Sequence, residues 1–494
     1  MGEARLGRSQ PRAAGDLRRA DHAGLLFRPR RAGGKPAQAV AGRAATHPRH
    51  AGRGLHPYPE PHGARLSDQA AERADRTHLP GALTEVAFRR PSASFAVVIP
   101  SSRAPRVLVI GGSLGGLMAA LALRGVGCEV DVYERVPQRL VGNGAGLRIV
   151  PEMARLLEQR AGIDLSEVST FVTRYRHLGA GNRIVSEKLT PGQFTSWGSL
   201  HRALTLGFDP ARYHLGASCE AVTQRADGID AHFADGRTAR ADLVVFADGI
   251  LSTGRRLFAP EAELSYAGYV GWRGFVPQAA LLDETWELFA DSVTYGVSPY
   301  SHISVYPIPD PSTDRRDARA VNFVWYRNVA ESAEFDALMT DRAGVMRPIS
   351  LSAGAVRPQF IAAVKAEARR LMPPAVAEVI GKTDEPFLQA LYDLALPRMA
   401  YGRACLIGDA AFVSRPHAGA ATTKAAVNAW HLADCLRETQ GDVDAALKAW
   451  EPTQVELGRS FVERNRRMGQ ASLVENRFNP TDPDHMPGLR GPGQ

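Results

Sequence analysis

Residues 106–134, RVLVIGGSLGGLMAALALRGVGCEVDVYE, decide the fold. Val107 to Ile110 is an unbroken apolar run, as expected of a strand buried on both faces of a parallel sheet. Glycines crowd the turn that follows, at Gly111, Gly112, Gly115 and Gly116, with Ser113 among them. The pattern predicts a helix over Leu117 to Leu123, then a strand from Glu129 to Tyr133 that ends at Glu134. Strand, glycine turn, helix, strand and acid make a dinucleotide-binding unit. Its glycines let the backbone approach a pyrophosphate, whose charge meets the helix N-terminus. Glu134 lies 23 residues past Gly111, near the spacing at which an acid accepts ribose hydroxyls. Ser113 stands where GxGxxG has glycine, and a tight turn of any α/β protein is the plainer alternative.

A chain of 494 residues is long for one core, so two or more units are expected. No apolar run approaches the ~18 residues needed to cross a bilayer, which argues against a membrane partner. The net charge of +8 is unevenly placed: residues 1–100 hold 17 Lys/Arg against 8 Asp/Glu, and the remainder 43 against 44. A neutral body argues against nucleic acid as its partner. Cys128, Cys219, Cys405 and Cys435 form no CxxC pair. They read as four buried free thiols in a reducing cytoplasm, with no metal site.

Residues 1–100 are rich in Arg, Ala, Pro and Gly and keep no helical or strand period. Two readings stand: a disordered basic arm, or translation upstream of the true start, with Val97 or Val98 as initiator. The second is preferred on composition. From Arg103 the pattern becomes α/β. It predicts a glycine turn at residues 142–146, a helix from Pro151 to Gln159, strands within Phe171 to Leu189, and a helix from Ser199 to Leu206. A hairpin of Cys219–Gln224 and Asp230–Phe233 follows, then the buried strand Leu243–Ala247. From Glu263 to about Arg327 the chain is β-rich and aromatic, suiting a mostly antiparallel sheet with one face on a cavity. Phe360 to Ile380 has helical period divided at Pro373-Pro374, and Phe387–Met399 and Ala404–Ile407 return to strands. Ala420–Leu436 and Asp442–Leu473 read as helices.

Three distant segments share one design, a buried strand ending in a turn with glycine and an acid. The first is the opening unit. The second is Asp248-Gly249-Ile250-Leu251-Ser252-Thr253-Gly254-Arg255, and the third Gly408-Asp409-Ala410-Ala411 with Pro416, Gly419 and a helix. Singly, each reads as a helix cap or turn. Together, in this order, they are specific.

With these motifs the chain resembles the FAD-dependent aromatic hydroxylases of the p-hydroxybenzoate hydroxylase fold, and within them the 2,6-dihydroxypyridine 3-monooxygenase group. The closer likeness rests on GGSLGGL, GYVGWRGFVP, TYGV, VYPIP, NFVWYRNVAE, ALMTD and LIGDAAFVSRPHAGAATTKAAVNAW. It implies a Rossmann-like FAD-binding domain (103–172, 196–262, 400–440) with an inserted, mainly antiparallel β substrate domain (173–195, 263–399). A helical segment (441–475) and a tail (476–494) would follow.

By the same resemblance Gly111, Gly116 and Glu134 hold the ADP half of FAD, with Gly112, Ser113, Gly115, Arg135 and Arg202 further cofactor contacts. Asp248 and Gly249 serve the pyrophosphate region. Gly408 and Asp409 meet the ribityl chain, and Pro416 and Gly419 the isoalloxazine. The following helix aims its N-terminus at the flavin pyrimidine, where its dipole favours the charge of reduction. The chain departs from the common pattern at Ala421, Thr423, Asn428 and Trp197.

The implied reaction has NADH (or NADPH) reduce FAD, which with O2 gives a C4a-hydroperoxide that hydroxylates an aromatic or N-heteroaromatic ring. His417 is the candidate base, against a surface or capping role. Arg273 either faces the ring or covers the sheet. Tyr295 and Tyr306 either line the cavity or are ordinary sheet aromatics. Lys424, in the first turn of its helix, reads as a solvated lysine rather than a ligand contact. Alternatives are a flavin-dependent halogenase, for which Trp272 and Pro277 fit WxWxIP but Gly274 and Val276 do not, and a non-catalytic nucleotide-binding protein with a basic arm. A homodimer stands as an open expectation.

Overall fold

The structure, a computed structural model, describes Ile99, Leu140, residues 104–138, 146–298, 300–313 and 315–477, and Gly488 and Leu489. The basic arm expected over 1–100, most of the 142–146 turn and most of the tail lie outside these residues.

Six strands form the first sheet, in the order Ala400–Tyr401, Ala404–Leu406, Leu243–Phe246, Arg106–Ile110, Glu129–Glu134 and Tyr213–Leu215. All neighbours pair in parallel except the first two. The two central strands are apolar because both faces are covered. The Leu114–Gly125 and Ala421–Glu438 helices share their core with the three-stranded sheet Cys219–Arg225, Gly228–Phe233 and Thr238–Ala241. Parallel pairing brings the carboxyl ends at Ile110, Glu134, Phe246 and Leu406 to one edge. Backbone bonds then carry the pairing into the turns, from Gly111 N to Tyr133 O (2.8 Å), Ala247 N to Ile110 O (2.8 Å) and Ile407 N to Phe246 O (2.9 Å).

The second sheet has ten strands, mostly antiparallel, built on Thr170–Leu178, Ile184–Ser196, Ser265–Pro277, Ser292–Ser298, Ser301–Pro309, Arg319–Asn328 and Phe387–Ala395. Side chains alternate as the pleat requires. On Arg319–Asn328, Val321, Phe323 and Trp325 enter a core shared with the Pro358–Leu371 and Pro374–Lys382 helices. Val324 and Tyr326 face a cavity on the other side. The break between those helices falls at Pro373, where the prolines placed it.

The cut expected after residue 172 falls inside the Thr170–Leu178 strand, and Gly146–Ile149 pairs with Ile184–Ser196 in the second sheet. We propose the first sheet with its helices as the cofactor unit and the second as the substrate unit.

The C-terminal Val443–Gly469 helix is tied to both. Glu451 Oε1 accepts from Met399 N (2.8 Å) and Ala400 N (2.9 Å), and Asn465 Oδ1 accepts from Ala418 N (2.9 Å). Gly458 lets the helix lie on the Phe412 ring, since a Cβ there would come 2.3 Å from it. Gly458→Ala therefore overpacks this contact. A loss of about 1–3 kcal/mol is expected, read as a lowered melting temperature of the purified protein.

Candidate active site

The first turn is built by close approach. A Cβ at Gly111 would lie 2.5 Å from the Ala247 carbonyl oxygen, and one at Gly116 1.8 Å from that of Gly111. Glycine at both lets the helix begin at Leu114, earlier than the Leu117 expected. Ser113 occupies the N-cap but makes no capping bond, and the first helical turn carries no acid. Ser113, Leu114 and Gly115 line the cavity. Glu134 is buried, accepting from Gly112 N (2.8 Å) and Val136 N (2.9 Å), which fixes the carboxylate beneath the turn. Arg135 and Arg202 are exposed and lie off the cavity wall.

In the second turn the Asp248 carboxylate is directed to its own helix. Oδ2 accepts from Thr253 N (2.6 Å) and Gly254 N (3.3 Å), and burial raises the Asp248 pKa. Asp248 thus shares the capping of the Thr253–Phe258 helix with its N-cap Ser252, while its Oδ1 is buried without a hydrogen-bond partner and the adjacent Gly249 lines the cavity. Arg255, buried, donates to the carbonyls of Asp409 (3.3 Å) and Ala410 (3.1 Å), locking the second turn to the third.

The third turn is held from three sides. Asn428, at the position where the common pattern has an acid, accepts from Gly408 N (3.0 Å) and donates to Gln454 (2.9 Å). Leu394 and Ala395 pair with Val413 and Phe412, and Arg415 grips Asp393 with Nε at 2.9 Å and Nη2 at 2.8 Å from Oδ2. The helix that follows starts at Ala421 with no side-chain cap and no acid in its first turn. Lys424 corrects the expectation of a solvated residue. It is fully buried, with Nζ 3.3 Å from Asp409 Oδ1 and donating to the Phe412 carbonyl.

Between the turns and the second sheet lies a cavity of about 480 Å³. Ser113, Gly115, Gly249, Gly408, Asp409, Pro416, His417 and Gly419 form one wall. Arg273 and Tyr295 also line the cavity, from the second sheet, with Tyr306, His302 and Tyr326. Gly111, Gly112, Gly116, Glu134 and Asp248 support this wall from behind without lining it.

His417 Nε2 is 2.6 Å from the Tyr269 hydroxyl, and its ring lies 5.5 Å from that of His302 and 4.9 Å from that of Tyr326. Burial raises the pKa of Tyr175, Tyr269, Tyr295, Tyr306 and Tyr326, so these phenols stay neutral. Sequence reasoning passed over Arg148, Tyr175, His302 and Tyr326. Arg148 Nη1 donates to the Tyr175 hydroxyl at 2.5 Å, and the Nε atoms of Arg148 and Arg273 are buried without hydrogen-bond partners. Trp197, at the departure from the flavin-contacting Gln, lines the cavity and stacks on His201 with ring centroids 4.5 Å apart.

These residues fit FAD: a cavity wall carrying Gly115, Gly249, Gly408 and Gly419, two uncapped helix N-termini for anionic groups, and a half-exposed Asp409 for hydroxyl donors. FAD added to the apoprotein is therefore expected to raise its melting temperature. At a hundredfold excess over Kd the gain corresponds to about 2.7 kcal/mol. Gly116→Val, which drives a side chain into the Gly111 carbonyl, is expected to abolish that rise.

A model of the FAD binding domain-like family matches residues 266–393, most of the second sheet. The 2,6-dihydroxypyridine 3-monooxygenase of Paenarthrobacter nicotinovorans is 35% identical over 385 residues, covering 78% of this chain and 96% of that protein. The 3-amino-4-hydroxybenzoate 2-monooxygenase of Streptomyces cremeus is 28% identical over 394 residues, covering 77% and 90%. The solved 2,6-dihydroxypyridine-3-hydroxylase from Arthrobacter nicotinovorans matches with a TM-score of 0.73 at 34% identity, over 79% of this chain and 98% of that one. A Klebsiella pneumoniae protein solved with FAD and uric acid shares the fold, with a TM-score of 0.62 at 22% identity over 75% and 89%. The halogenase and non-catalytic alternatives find no support among these relatives. With an enzyme this similar along nearly its whole length, the chain belongs to the FAD-dependent aromatic-ring monooxygenases of the p-hydroxybenzoate hydroxylase fold, which draw electrons from NAD(P)H and oxygen from O2.

Proposed function

We propose that the cavity takes a small hydroxylated aromatic or N-heteroaromatic ring, of the kind the dihydroxypyridine relatives are named for, and that His417 accepts the proton of its hydroxyl. The observation that carries this is the place of His417, on the cavity wall and within 2.6 Å of the Tyr269 hydroxyl. Bound FAD, reduced by NAD(P)H, supplies the activated oxygen. The protein residues orient the ring, move its proton and exclude water. Arg148 and Arg273 place positive charge on the cavity, where it favours the ionised, electron-rich form of the ring. The buried tyrosines serve as neutral hydrogen-bond donors.

For the cofactor we assign Gly111, Gly112, Ser113, Gly115, Gly116, Glu134 and Arg135 to the ADP half, with Arg202 further along. Asp248 and Gly249 go to the pyrophosphate region, Gly408 and Asp409 to the ribityl chain, and Pro416 and Gly419 to the ring. NADH is the proposed donor. A cytoplasmic location is supported by four cysteines that are all free thiols. A homodimer remains part of the proposal, with the exposed apolar residues Phe171, Ile184, Val185 and Leu189 of two neighbouring strands as its candidate contacts.

The test is a panel of hydroxypyridines and phenols scored for stimulated NADH oxidation and for hydroxylated product, with wild type beside His417→Ala. His417→Ala is expected to lower kcat/KM for hydroxylation by about 10²–10⁴-fold and to retain FAD. A variant hydroxylating at the wild-type rate removes His417 from the chemistry.

A further inference from the structure

Lys424 is a charged side chain with no exposed surface, in the first turn of a helix whose dipole opposes a cation. Burial pushes its pKa down, and Asp409 opposes that shift. The stem passes beside Phe461, whose ring centroid is 5.7 Å from Nζ. Packing alone is satisfied by an unbranched apolar chain such as methionine, so the space does not explain the ammonium. Its contacts do. Nζ reaches Asp409 Oδ1 at 3.3 Å and donates to the Phe412 carbonyl, both on the third turn. Asp409 is the one carboxylate on the cavity wall among the described residues, and its side chain is 48% exposed. The lysine therefore meets Asp409 from behind while the cavity meets it from the front.

We propose that Lys424 is a positioning residue for the flavin, fixing one carboxylate oxygen of Asp409 so that the other is free for the hydroxyl donors of FAD. Its charge also cancels that of Asp409 close to where negative charge collects on flavin reduction. The inference rests on the reading of Asp409 as a cofactor contact.

Lys424→Met keeps the volume and removes the charge. In the purified apoprotein it is expected to weaken FAD binding about tenfold or more, the scale of a hydrogen bond to a charged group, read by flavin fluorescence titration. In the holoenzyme it is expected to lower the flavin midpoint potential, because Asp409 is left uncompensated. Asp409→Asn also weakens FAD but moves the potential up. In the double variant the Lys424→Met effect on affinity is expected to vanish, since its partner is gone.

Wild-type FAD affinity and potential in Lys424→Met overturn the proposal. So does an affinity loss of the same size whether residue 409 is Asp or Asn, which marks a packing role. Should Lys424→Met alone fail to fold, a folded double variant supports the charge pairing, and an unfolded one overturns it. Unchanged FAD binding in Asp409→Asn instead removes the reading of Asp409 on which the proposal stands.

Discussion

Parallel pairing of the strands at Leu108, Val132, Val245 and Cys405 is the constraint on which the rest depends. It delivers three turns from distant parts of the chain to one edge, and the side-chain period of two makes the register strict. A slip of one residue would turn Val107 and Val109 to the opposite face and carry Gly111 away from Ala247, where no other residue fits. The turns then order each other. Arg255 bonds the carbonyls behind Asp409, and the Leu114–Gly125 helix meets the Ala421–Glu438 helix across small residues, with Gly115 and Gly408 both facing Ala425. Two helix N-termini reach the same cavity without a cap of their own. Neutral as the whole body is, this leaves a local positive field where an anionic cofactor belongs.

The second constraint joins the two sheets. The Phe387–Ala395 strand belongs to the second sheet, yet its end pairs with Phe412 and Val413 of the third turn, and the buried Arg415–Asp393 pair fastens them. On the far side, Asn322 accepts from Gly146 N and Tyr306 donates to Gly146 O, each at 2.8–2.9 Å. The loop bearing Asp409, Pro416 and His417 is therefore positioned by the cofactor edge and by the substrate sheet together. A side chain such as His417 can face both sites without belonging to a mobile lid.

The parallel sheet was legible because burial on both faces writes itself as runs such as VLVI and LVVF, and glycine marks the turns. Pro373-Pro374 placed a helix break for the equally local reason that proline lacks an amide hydrogen. What sequence hid was set by distant partners. Lys424 reads as a surface residue until Phe412 and Phe461 are seen to enclose it. Asp248 has a second role that sequence did not show, since D-G-x-x-S is also the spacing of a helix cap and its Oδ2 accepts from Thr253 N and Gly254 N. Arg148, His302 and Tyr326 come from three strands. Alternation told that each strand has two faces, but which face meets helices and which meets the cavity depends on what lies across the sheet. The short helix Asp283–Phe289 was lost inside the aromatic β-rich stretch and Ala333–Leu338 in the segment just after it, both too brief for a period to register.

The same burial decides how a proton can leave the cavity. Raised phenol pKa values mean that no tyrosine there accepts a proton by existing as phenolate. A phenol can still turn its hydroxyl. Facing a neutral imidazole, Tyr269 donates to His417 Nε2; facing an imidazolium, it accepts from it. Arg415, lying over the Tyr269 ring at 5.4 Å and paired with Asp393, keeps that oxygen in place through either state. As the base proposed for this site, His417 would gain and lose a proton with its Tyr269 partner kept.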